Sequence, residues 1–458
     1  MEIKKASKLS IAMYGLGDCA SQFVWTFIGS YLSLYYTDVV GLAPMVVSVL
    51  MLVARIWDAI NDPMMGVIAE NTNTKWGRFR PYIAIGAPFL ALATVLTFTN
   101  PFSGSSTAAV IYAYITYIAA GMIYTVVMIP YGSLPAVISE DGAQIKAASS
   151  AKMIGMYVGM LIVNAVTAGL TLKFSAPGAT VADGSGYTKT AILYAVISIP
   201  LYLLVAKFCK EVVKKPAAKK NSVKATFKNN FATRHVTLMV LNGAASMLML
   251  MLRIAMTPYY CIYCLNNFTA MASLMTIPSI VGIVCSFIAP YVAKWMGSKR
   301  AIILMTALPI IGYVVIGFAP YDNMGLITLG FALTGISYGG LGYAAIADAI
   351  DYTEYKTGVR TDGSAFALQG LGGKFGSAIA SSISLALLSA VGYQANQAQS
   401  AATMAGIKNI LTITPSVMLI AMIVIWIFWD LSDEKMTEVR EELHKRHESA
   451  ANADAETN

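Results

Sequence analysis

Charged residues are scarce in this sequence. Only 12% of its 458 residues are Asp, Glu, Lys or Arg, whereas 57% are hydrophobic, and an ordinary soluble protein has about twice this charged fraction. The shortage of charge excludes a water-soluble globular protein, because the surface would be too apolar. Apolar runs at 82–99, 301–319 and 410–429 are each long enough to cross about 30 Å of hydrocarbon. Since these runs do not alternate as barrel strands do, we predict an all-α integral membrane protein.

Histidine and cysteine are also few. There are five cysteines and three histidines. Only Cys261 and Cys264 have a C-x-x-C spacing, and they lack the second pair or the neighbouring histidines of a zinc or redox site. We interpret the pair as a chance occurrence of small core residues. The loops contain no recognisable combination of nucleophile and base. The sequence therefore predicts neither an enzyme nor a bound cofactor.

The apolar spans divide the chain into two similar parts. Between the sixth and seventh spans lies a segment with eight lysines and the single acid Glu211, which cannot form a core. We predict an N-terminal six-helix half at 1–206, a basic linker at 207–233, a C-terminal six-helix half at 234–430 and a tail at 431–458 that starts as a short helix and ends disordered. The twelve spans cover 10–37, 44–70, 81–100, 107–139, 147–171, 188–206, 234–263, 268–293, 299–319, 324–350, 362–393 and 408–430.

The basic residues indicate the orientation in the membrane. Most of the 32 lysines and arginines fall on one side if both termini and the linker face the cytoplasm, which is the positive-inside pattern. We therefore predict a multi-pass protein of the cell (inner) membrane with both termini cytoplasmic. The net charge of +8 reflects this topology, so no nucleic-acid partner is expected. Paired six-helix halves joined by a cytoplasmic loop are the layout of major facilitator transporters.

Two aspartates lie within the second span. Arg55, Asp58 and Asp62 follow i, i+3 and i+7 and share one helical face. Two ionised carboxylates one turn apart repel each other, so we expect them to hold a cation or to share a proton. Asn61 adds an amide oxygen, a hard ligand suited to sodium. The alternative is a structural clamp between Arg55 and one aspartate, which leaves the second carboxylate unneutralised. The prediction is a site for a coupling ion, Na⁺ or H⁺.

Polar residues of other spans are candidates for binding a substrate. Asp18, Gln22 and Trp25 follow i, i+4 and i+7, and an acid, an amide and an indole suit the hydroxyls and the apolar face of a sugar. The alternative is a polar face that joins membrane helices. Lys374 lies in a glycine-rich stretch where backbones can approach closely, and it either pairs with carboxylates of the other half or extends to the interface. Arg253, in the seventh span, is interpreted as structural.

Several motifs together resemble one known family over nearly the whole chain. They are YGLGD at 14–18, YYTDVVGL at 35–42, ARIWDAINDP at 54–63, KWGRFRP at 75–81, IPY at 129–131 and DYTEYKTGVR at 351–360. In these motifs the chain is similar to the glycoside-pentoside-hexuronide:cation symporters, which include melibiose permeases and have the major facilitator fold. The resemblance implies a secondary active transporter that carries a sugar, glycoside or hexuronide with a cation by alternating access.

The resemblance also implies roles for individual residues. Asp58 and Asp62 match the family's cation-binding aspartates, accompanied by Asn61 and Thr125. The candidate substrate-binding residues are Asp18, Gln22, Trp25, Tyr124, Lys152 and Lys374. At three positions the chain departs from melibiose permeases, which argues against melibiose as the substrate: Gln22 replaces an aspartate, Met128 replaces a carboxylate and Gly132 replaces a tryptophan.

Charged residues in the cytoplasmic connections are candidate gating residues. We expect salt bridges that hold the outward-open state among Arg78, Arg80, Asp351, Glu354 and Arg360, although the arginines can also serve orientation alone. The expected partners are a small sugar or glycoside and membrane lipid, and the protein is expected to act as a monomer. A membrane sensor or scaffold of the same fold that transports nothing is the alternative function. The buried acid pair argues against it, because a scaffold does not need two carboxylates in a membrane helix.

Overall fold

The regular secondary structure of the protein is helical. The computed structural model describes residues 6–102, 106–139, 142–212, 233–358 and 362–457, in which an isolated bridge between Thr74 and Gly77 is the one extended pairing. The α-helices are α1 (Lys8–Leu34), α2 (Pro44–Asn71), α3 (Arg80–Thr97), α4 (Thr107–Ser133), α5 (Pro135–Ile138), α6 (Gly142–Phe174), α7 (Gly184–Phe208), α8 (Arg234–Tyr259), α9 (Ala270–Met296), α10 (Ser298–Phe318), α11 (Met324–Thr334), α12 (Leu341–Thr357), α13 (Asp362–Ala390), α14 (Ala401–Ile427) and α15 (Asp433–Thr457). Two π-helical turns follow α1 and α8: π1 (Tyr35–Val39) and π2 (Tyr260–Cys264).

All twelve predicted spans coincide with helices. In the described part of the chain, ten helices are both long and apolar enough to cross a membrane, so the count of twelve is not confirmed. The tenth predicted span is interrupted, because α11 ends at Thr334 and α12 begins at Leu341. The break contains Gly339, whose φ of +49° is not helical, and Gly335, which packs closely on α9, since a Cβ there would lie 2.3 Å from the carbonyl oxygen of Pro278.

The contacts divide the chain into two compact units. Unit 1 contains Met1–Ala218, Ile254–Thr276 and Ser381–Ile410, and unit 2 contains Lys219–Arg253, Ile277–Ala380 and Leu411–Asn458. Unit 1 thus combines the segment before the basic linker with two segments after it, whereas unit 2 begins within the linker and contains only later segments. The two six-helix halves expected from the sequence stay a prediction.

Glycines bring two helices of unit 1 into backbone contact. A Cβ on Gly155 of α6 would lie 1.9 Å from the carbonyl oxygen of Gly15 on α1, and a Cβ on Gly159 would lie 2.7 Å from that of Cys19. No side chain fits at such a distance, so glycine is required for this crossing. The close approach positions the polar residues of α1 beside those of α6.

A similar contact occurs in unit 2. On α13, a Cβ on Gly372 would lie 2.4 Å from the carbonyl oxygen of Val240, and one on Gly376 would lie 2.0 Å from that of Ala244. The close backbone approach predicted for this glycine-rich stretch is therefore confirmed, and Lys374 is an exposed residue of the same stretch of α13.

The tail differs from the prediction of a short helix followed by disorder. Helix α15 continues to Thr457 and packs on α12. Met436, Val439 and Leu443 form its buried apolar face. Arg440 pairs with Asp348 at 2.5 Å and with Asp351 at 3.2 Å. The helix is longer than its polar composition indicated because these contacts with α12 stabilise it.

Candidate functional site

Asp18 of α1 is surrounded by polar groups in unit 1. Its side chain is buried, and its Oδ1 accepts hydrogen bonds from the Ser21 hydroxyl at 3.0 Å and from Gln22 Nε2 at 3.4 Å. The Lys152 ammonium on α6 lies 3.7 Å from Asp18 Oδ2 and is itself partly exposed. The structure thus brings together three of the predicted substrate-binding residues. An acceptor, an amide and a cation in one place can pair with sugar hydroxyls or with an acidic substituent.

An aromatic pair lies beside this polar group. The rings of Trp25 on α1 and Tyr124 on α4 stack with centroids 4.5 Å apart and an interplanar angle of 21°. The guanidinium carbon of Arg55 lies 4.5 Å from the centroid of the Trp25 ring, close enough for a cation–π interaction. One face of the indole is therefore covered by Tyr124, and a sugar that stacks on the indole has to use the remaining surface or displace this ring.

The two aspartates of α2 have different partners. Arg55 Nη1 donates to Asp58 Oδ2 at 3.0 Å, which is an ion pair, whereas Asp62 Oδ1 accepts a hydrogen bond from the Thr125 hydroxyl at 2.8 Å. Both acids are half-buried. The charge of Asp58 is thus balanced by Arg55, as a bound cation would balance it. Asp62 accepts its hydrogen bond from a neutral hydroxyl. This arrangement agrees with the predicted Arg55 clamp for one acid, and Asp62, on the same helical face of α2, accepts its hydrogen bond from Thr125.

Residues of helix α4 lie next to both of these aspartates. Thr125 reaches Asp62 from α4, and one turn earlier a Cβ on Gly121 would lie 3.1 Å from Asp58 Oδ1. Gly121 was not predicted, because its contribution is the absence of a side chain. Asn61 Nδ2 is buried and has no hydrogen-bond partner among the described residues. The expected cation-binding residues Asp58, Asp62 and Thr125 therefore meet where α2 packs on α4, with Asn61 on the same helix.

Lys374 and Arg253 belong to unit 2. The Lys374 side chain is exposed, and its expected pairing with carboxylates of the other half stays a prediction. Arg253 is buried and its Nη1 donates to the Thr334 hydroxyl at 3.4 Å. This contact within unit 2 agrees with the structural role predicted for Arg253.

Two of the departures from melibiose permeases have visible consequences. The sulfur of Met128 on α4 accepts a hydrogen bond from the Tyr202 hydroxyl on α7 at 3.7 Å, so a thioether contacts α7 at the position where those permeases have a third acid. A Cβ on Gly132 would meet no atom within 4 Å. The space that a tryptophan would fill is therefore open in this protein.

The basic turn before α3 holds the start of the linker. The Glu211 carboxylate accepts hydrogen bonds from the backbone N–H groups of Arg78 at 2.8 Å, Phe79 at 2.8 Å and Arg80 at 3.2 Å. The Arg80 guanidinium donates to the carbonyl oxygens of Ala206 and Lys207 at the end of α7. An acid at a helix N-terminus is favourable, but Glu211 is more than 130 positions away in sequence and was not predicted.

The expected gating salt bridges stay a prediction. Asp351 pairs with Arg440 of α15 within unit 2, and Glu354 is buried on the same helix. Arg360 lies outside the described residues. The contacts of Arg78 and Arg80 with the linker are contacts within unit 1 and do not test a bridge to Asp351 or Glu354.

Comparison with known proteins defines the family. Residues 13–433 match the family described as MFS/sugar transport protein. The chain belongs to this family. Relatives include an uncharacterized symporter, YnaJ, of Bacillus subtilis, with 31% identity over 97% of this chain and 96% of the relative. A glucuronide carrier protein homolog of Escherichia coli is 29% identical over 95% of both chains. An isoprimeverose transporter of Lactiplantibacillus pentosus is 30% identical over 86% of this chain and 83% of the relative.

Solved structures support the same fold. The inward-open xylose transporter XylE of Escherichia coli superposes with a TM-score of 0.62 at 14% identity, and 94% of this chain and 98% of that chain are covered. An inward-facing bacterial homologue of the lysosomal transporter Spinster has a TM-score of 0.66 at 10% identity, with coverage of 91% and 95%. The protein is therefore a multi-pass membrane transporter of the major facilitator superfamily and not an enzyme. Membership in a family of sugar transporters also favours transport over a sensor or scaffold.

Proposed function

We propose that this protein imports or exports a sugar, glycoside or hexuronide together with a cation, Na⁺ or H⁺, which binds at Asp58 and Asp62. The observation that carries the proposal is the arrangement of these acids on α2, one paired with Arg55 and the other bound to Thr125. The relatives named as symporters, as a glucuronide carrier homolog and as an isoprimeverose transporter support this substrate class. The substrate binds beside Asp18, Gln22, Trp25, Tyr124 and Lys152, and Lys374 stays a candidate substrate-binding residue on the resemblance alone.

The coupling step starts with the Arg55–Asp58 ion pair. In the structure Arg55 neutralises Asp58 and lies against Trp25. A cation that binds between Asp58 and Asp62, or a proton that neutralises one of them, removes the need for this counter-charge. Arg55 Nε is buried without a hydrogen-bond partner among the described residues, so the guanidinium keeps an N–H group that can donate to a substrate.

Release of Arg55 changes the substrate site. The guanidinium and the Trp25–Tyr124 stack are in contact with one another, so a shift of Arg55 changes the surface available to a sugar ring. A hexuronide carboxylate is a suitable new partner for the released guanidinium, because arginine binds carboxylates through two parallel hydrogen bonds. Binding of the ion therefore increases affinity for the substrate, and by linkage the substrate increases affinity for the ion by the same factor.

We further propose that the protein lies in the cell inner membrane with both termini cytoplasmic and acts as a monomer. The distribution of lysine and arginine supports this orientation. In each transport cycle the site opens to one side of the membrane and then to the other, as in other major facilitator transporters.

Uptake into proteoliposomes tests the proposed function. The purified protein is reconstituted, and uptake of labelled glucuronides, isoprimeverose and neutral glycosides is measured with a Na⁺ gradient, with a pH gradient and with neither. Accumulation above the external concentration is expected with one of the two gradients and with at least one of these substrates. Uptake that never exceeds equilibration under either gradient, for any of these substrates, would contradict coupled transport.

A further inference from the structure

The YYTDVVGL motif at 35–42 has no part in the site described above, yet it forms an unusual structure. Helix α1 ends in π1 and helix α8 ends in π2. The fourth residue of π1 is Asp38 and the fourth residue of π2 is Tyr263, and the Tyr263 hydroxyl donates a hydrogen bond to Asp38 Oδ2. Single π-helical turns are rare in proteins, and those that occur often lie at functional sites. Two of them facing each other at corresponding positions point to a common role.

Asp38 is enclosed by hydroxyl groups. In addition to Tyr263, the Tyr393 hydroxyl donates to Asp38 Oδ1, and the Thr37 hydroxyl donates to the same oxygen at 2.6 Å. The hydroxyl oxygens of Tyr263 and Tyr393 lie 3.0 Å apart. No lysine or arginine pairs with Asp38 within the described residues. The carboxylate is thus held by charge-assisted hydrogen bonds from neutral groups.

A third segment of the chain closes over this group. Asn396, in the loop between α13 and α14, adopts a left-handed conformation with φ of +59°. Its side-chain amide donates to the backbone carbonyl of Asp38 at 2.5 Å, and its backbone N–H donates to the Tyr263 hydroxyl at 3.1 Å. Asparagine adopts this conformation more readily than most non-glycine residues, and here the conformation accompanies both contacts. The ends of α1, α8 and α13 are therefore joined through Asp38, all within unit 1.

Nearby hydrogen bonds join the same segments of the chain. The hydroxyls of Thr37 and Tyr259 lie 3.0 Å apart, and the Ser48 hydroxyl at the start of α2 donates to the carbonyl of Ser382 on α13 at 2.7 Å. These contacts again connect the first part of the chain with the segments 254–276 and 381–410. None of them contains a pair of opposite charges.

We propose that Asp38, Tyr263, Tyr393 and Asn396 form a latch that closes the end of the transporter opposite its termini and that opens in each transport cycle. The proposal rests on the alternating access of the proposed function, because a closed end has to open for substrate to pass. By the predicted orientation this end faces outward, so the latched structure is the one closed to the outside. Water can replace tyrosine hydroxyls as donors to a carboxylate, whereas a buried ion pair is costly to separate. A carboxylate held by tyrosines is therefore suited to repeated opening.

Chemical labelling tests the latch without any substrate. Ser48→Cys is introduced into a protein whose five native cysteines are replaced, and its reaction with a membrane-impermeant maleimide is timed from the outer side. Ser48 is buried in the latched structure, so labelling requires opening. Asp38→Asn and the double variant Tyr263→Phe/Tyr393→Phe are each expected to label about tenfold faster, the effect of about 1.4 kcal/mol. Tyr35→Phe is the matched control, because Tyr35 accepts a hydrogen bond from Asn100 outside the latch and should label at the parent rate.

The outcomes separate the latch from the proposed function. Faster labelling in the tyrosine double variant, with the control unchanged, supports the latch even if the substrates named above are not transported. The same labelling rate in the parent and in the tyrosine double variant would overturn it, and so would equal acceleration in Tyr35→Phe. If Asp38→Asn does not fold, the double variant alone decides, because it keeps every ring and removes only two hydroxyls.

Discussion

Replacement of Arg55 by glutamine removes the charge that pairs with Asp58 and keeps a polar side chain. The ion pair joins Arg55 Nη1 and Asp58 Oδ2 over 3.0 Å, where opposite unit charges attract by about 5.5 kcal/mol at an effective dielectric constant of about 20. Desolvation offsets most of this attraction. A coupling cation that binds at Asp58 has to compete with the remaining net attraction between Arg55 and Asp58. We therefore expect Arg55→Gln to reach half-maximal uptake at about a tenfold lower cation concentration, which corresponds to about 1.4 kcal/mol.

The assay is substrate uptake by proteoliposomes as a function of the concentration of the coupling ion. Arg253→Gln is the control, since Arg253 is another buried arginine but contacts Thr334 in unit 2. If Arg55 serves only as a structural clamp, its removal leaves Asp58 without a counter-charge, and the variant loses stability without any gain in cation affinity. An unchanged or higher cation requirement in folded Arg55→Gln would refute the reasoning.

Two further predictions concern stability. Gly155→Ala should destabilise the protein by roughly 1–3 kcal/mol and weaken substrate binding, because the new Cβ would lie 1.9 Å from the Gly15 carbonyl oxygen. Unfolding in detergent and substrate binding measure these two effects. The control is Gly169→Ala, which should match the parent because its Cβ would meet no atom within 4 Å. Asp183 caps α7: burial raises the pKa of its carboxyl, but hydrogen bonds from the Ala176 and Gly186 amides hold it below its ordinary value. Asp183→Ala should therefore cost about 1 kcal/mol at neutral pH. The loss should shrink as pH falls through the lowered pKa, since protonation removes the same contribution from the parent, and Asp183→Asn, which keeps a cap, should show little loss. A deficit for Asp183→Ala that is independent of pH would contradict this account.

Local periodicity explains what could be predicted from the sequence. Asp18 and Gln22, and likewise Arg55 and Asp58, lie within one turn of the same helix, so their spacing places them on one face and the structure brings them into contact. The apolar runs similarly predict the helices, because burial in lipid requires continuous apolar length. The closely packed glycines of α13 were also predicted from their density.

Contacts between distant segments could not be predicted in the same way. Gly155 meets Gly15 across 140 positions, and its function is the absence of a side chain, which leaves no chemical signal in a single sequence. Glu211 caps α3 from the linker, where its surroundings are lysines and no periodicity indicates a partner. The tail was expected to end disordered because its own composition is polar, whereas contacts of Arg440 with α12 stabilise the helix.

The contacts made by the π-helical turns could not be predicted from the sequence either. The motif at 35–42 carried the resemblance to a family, but its sequence gives no indication that Asp38 meets Tyr263 and Tyr393, which lie more than 200 positions away. A carboxylate bound by hydroxyl groups has no fixed spacing that a sequence pattern can reveal. Its recognition required the fold.

The central claim is that Asp58 and Asp62 bind the coupling ion, and gradient-driven accumulation in an Asp62→Cys variant tests it most directly. The control is Asp322→Cys, which removes an exposed acid outside the site. Proteoliposomes with the control should accumulate substrate as the parent does. Those with Asp62→Cys should equilibrate substrate down its gradient but not accumulate it. Accumulation by Asp62→Cys at the parent level would contradict the account.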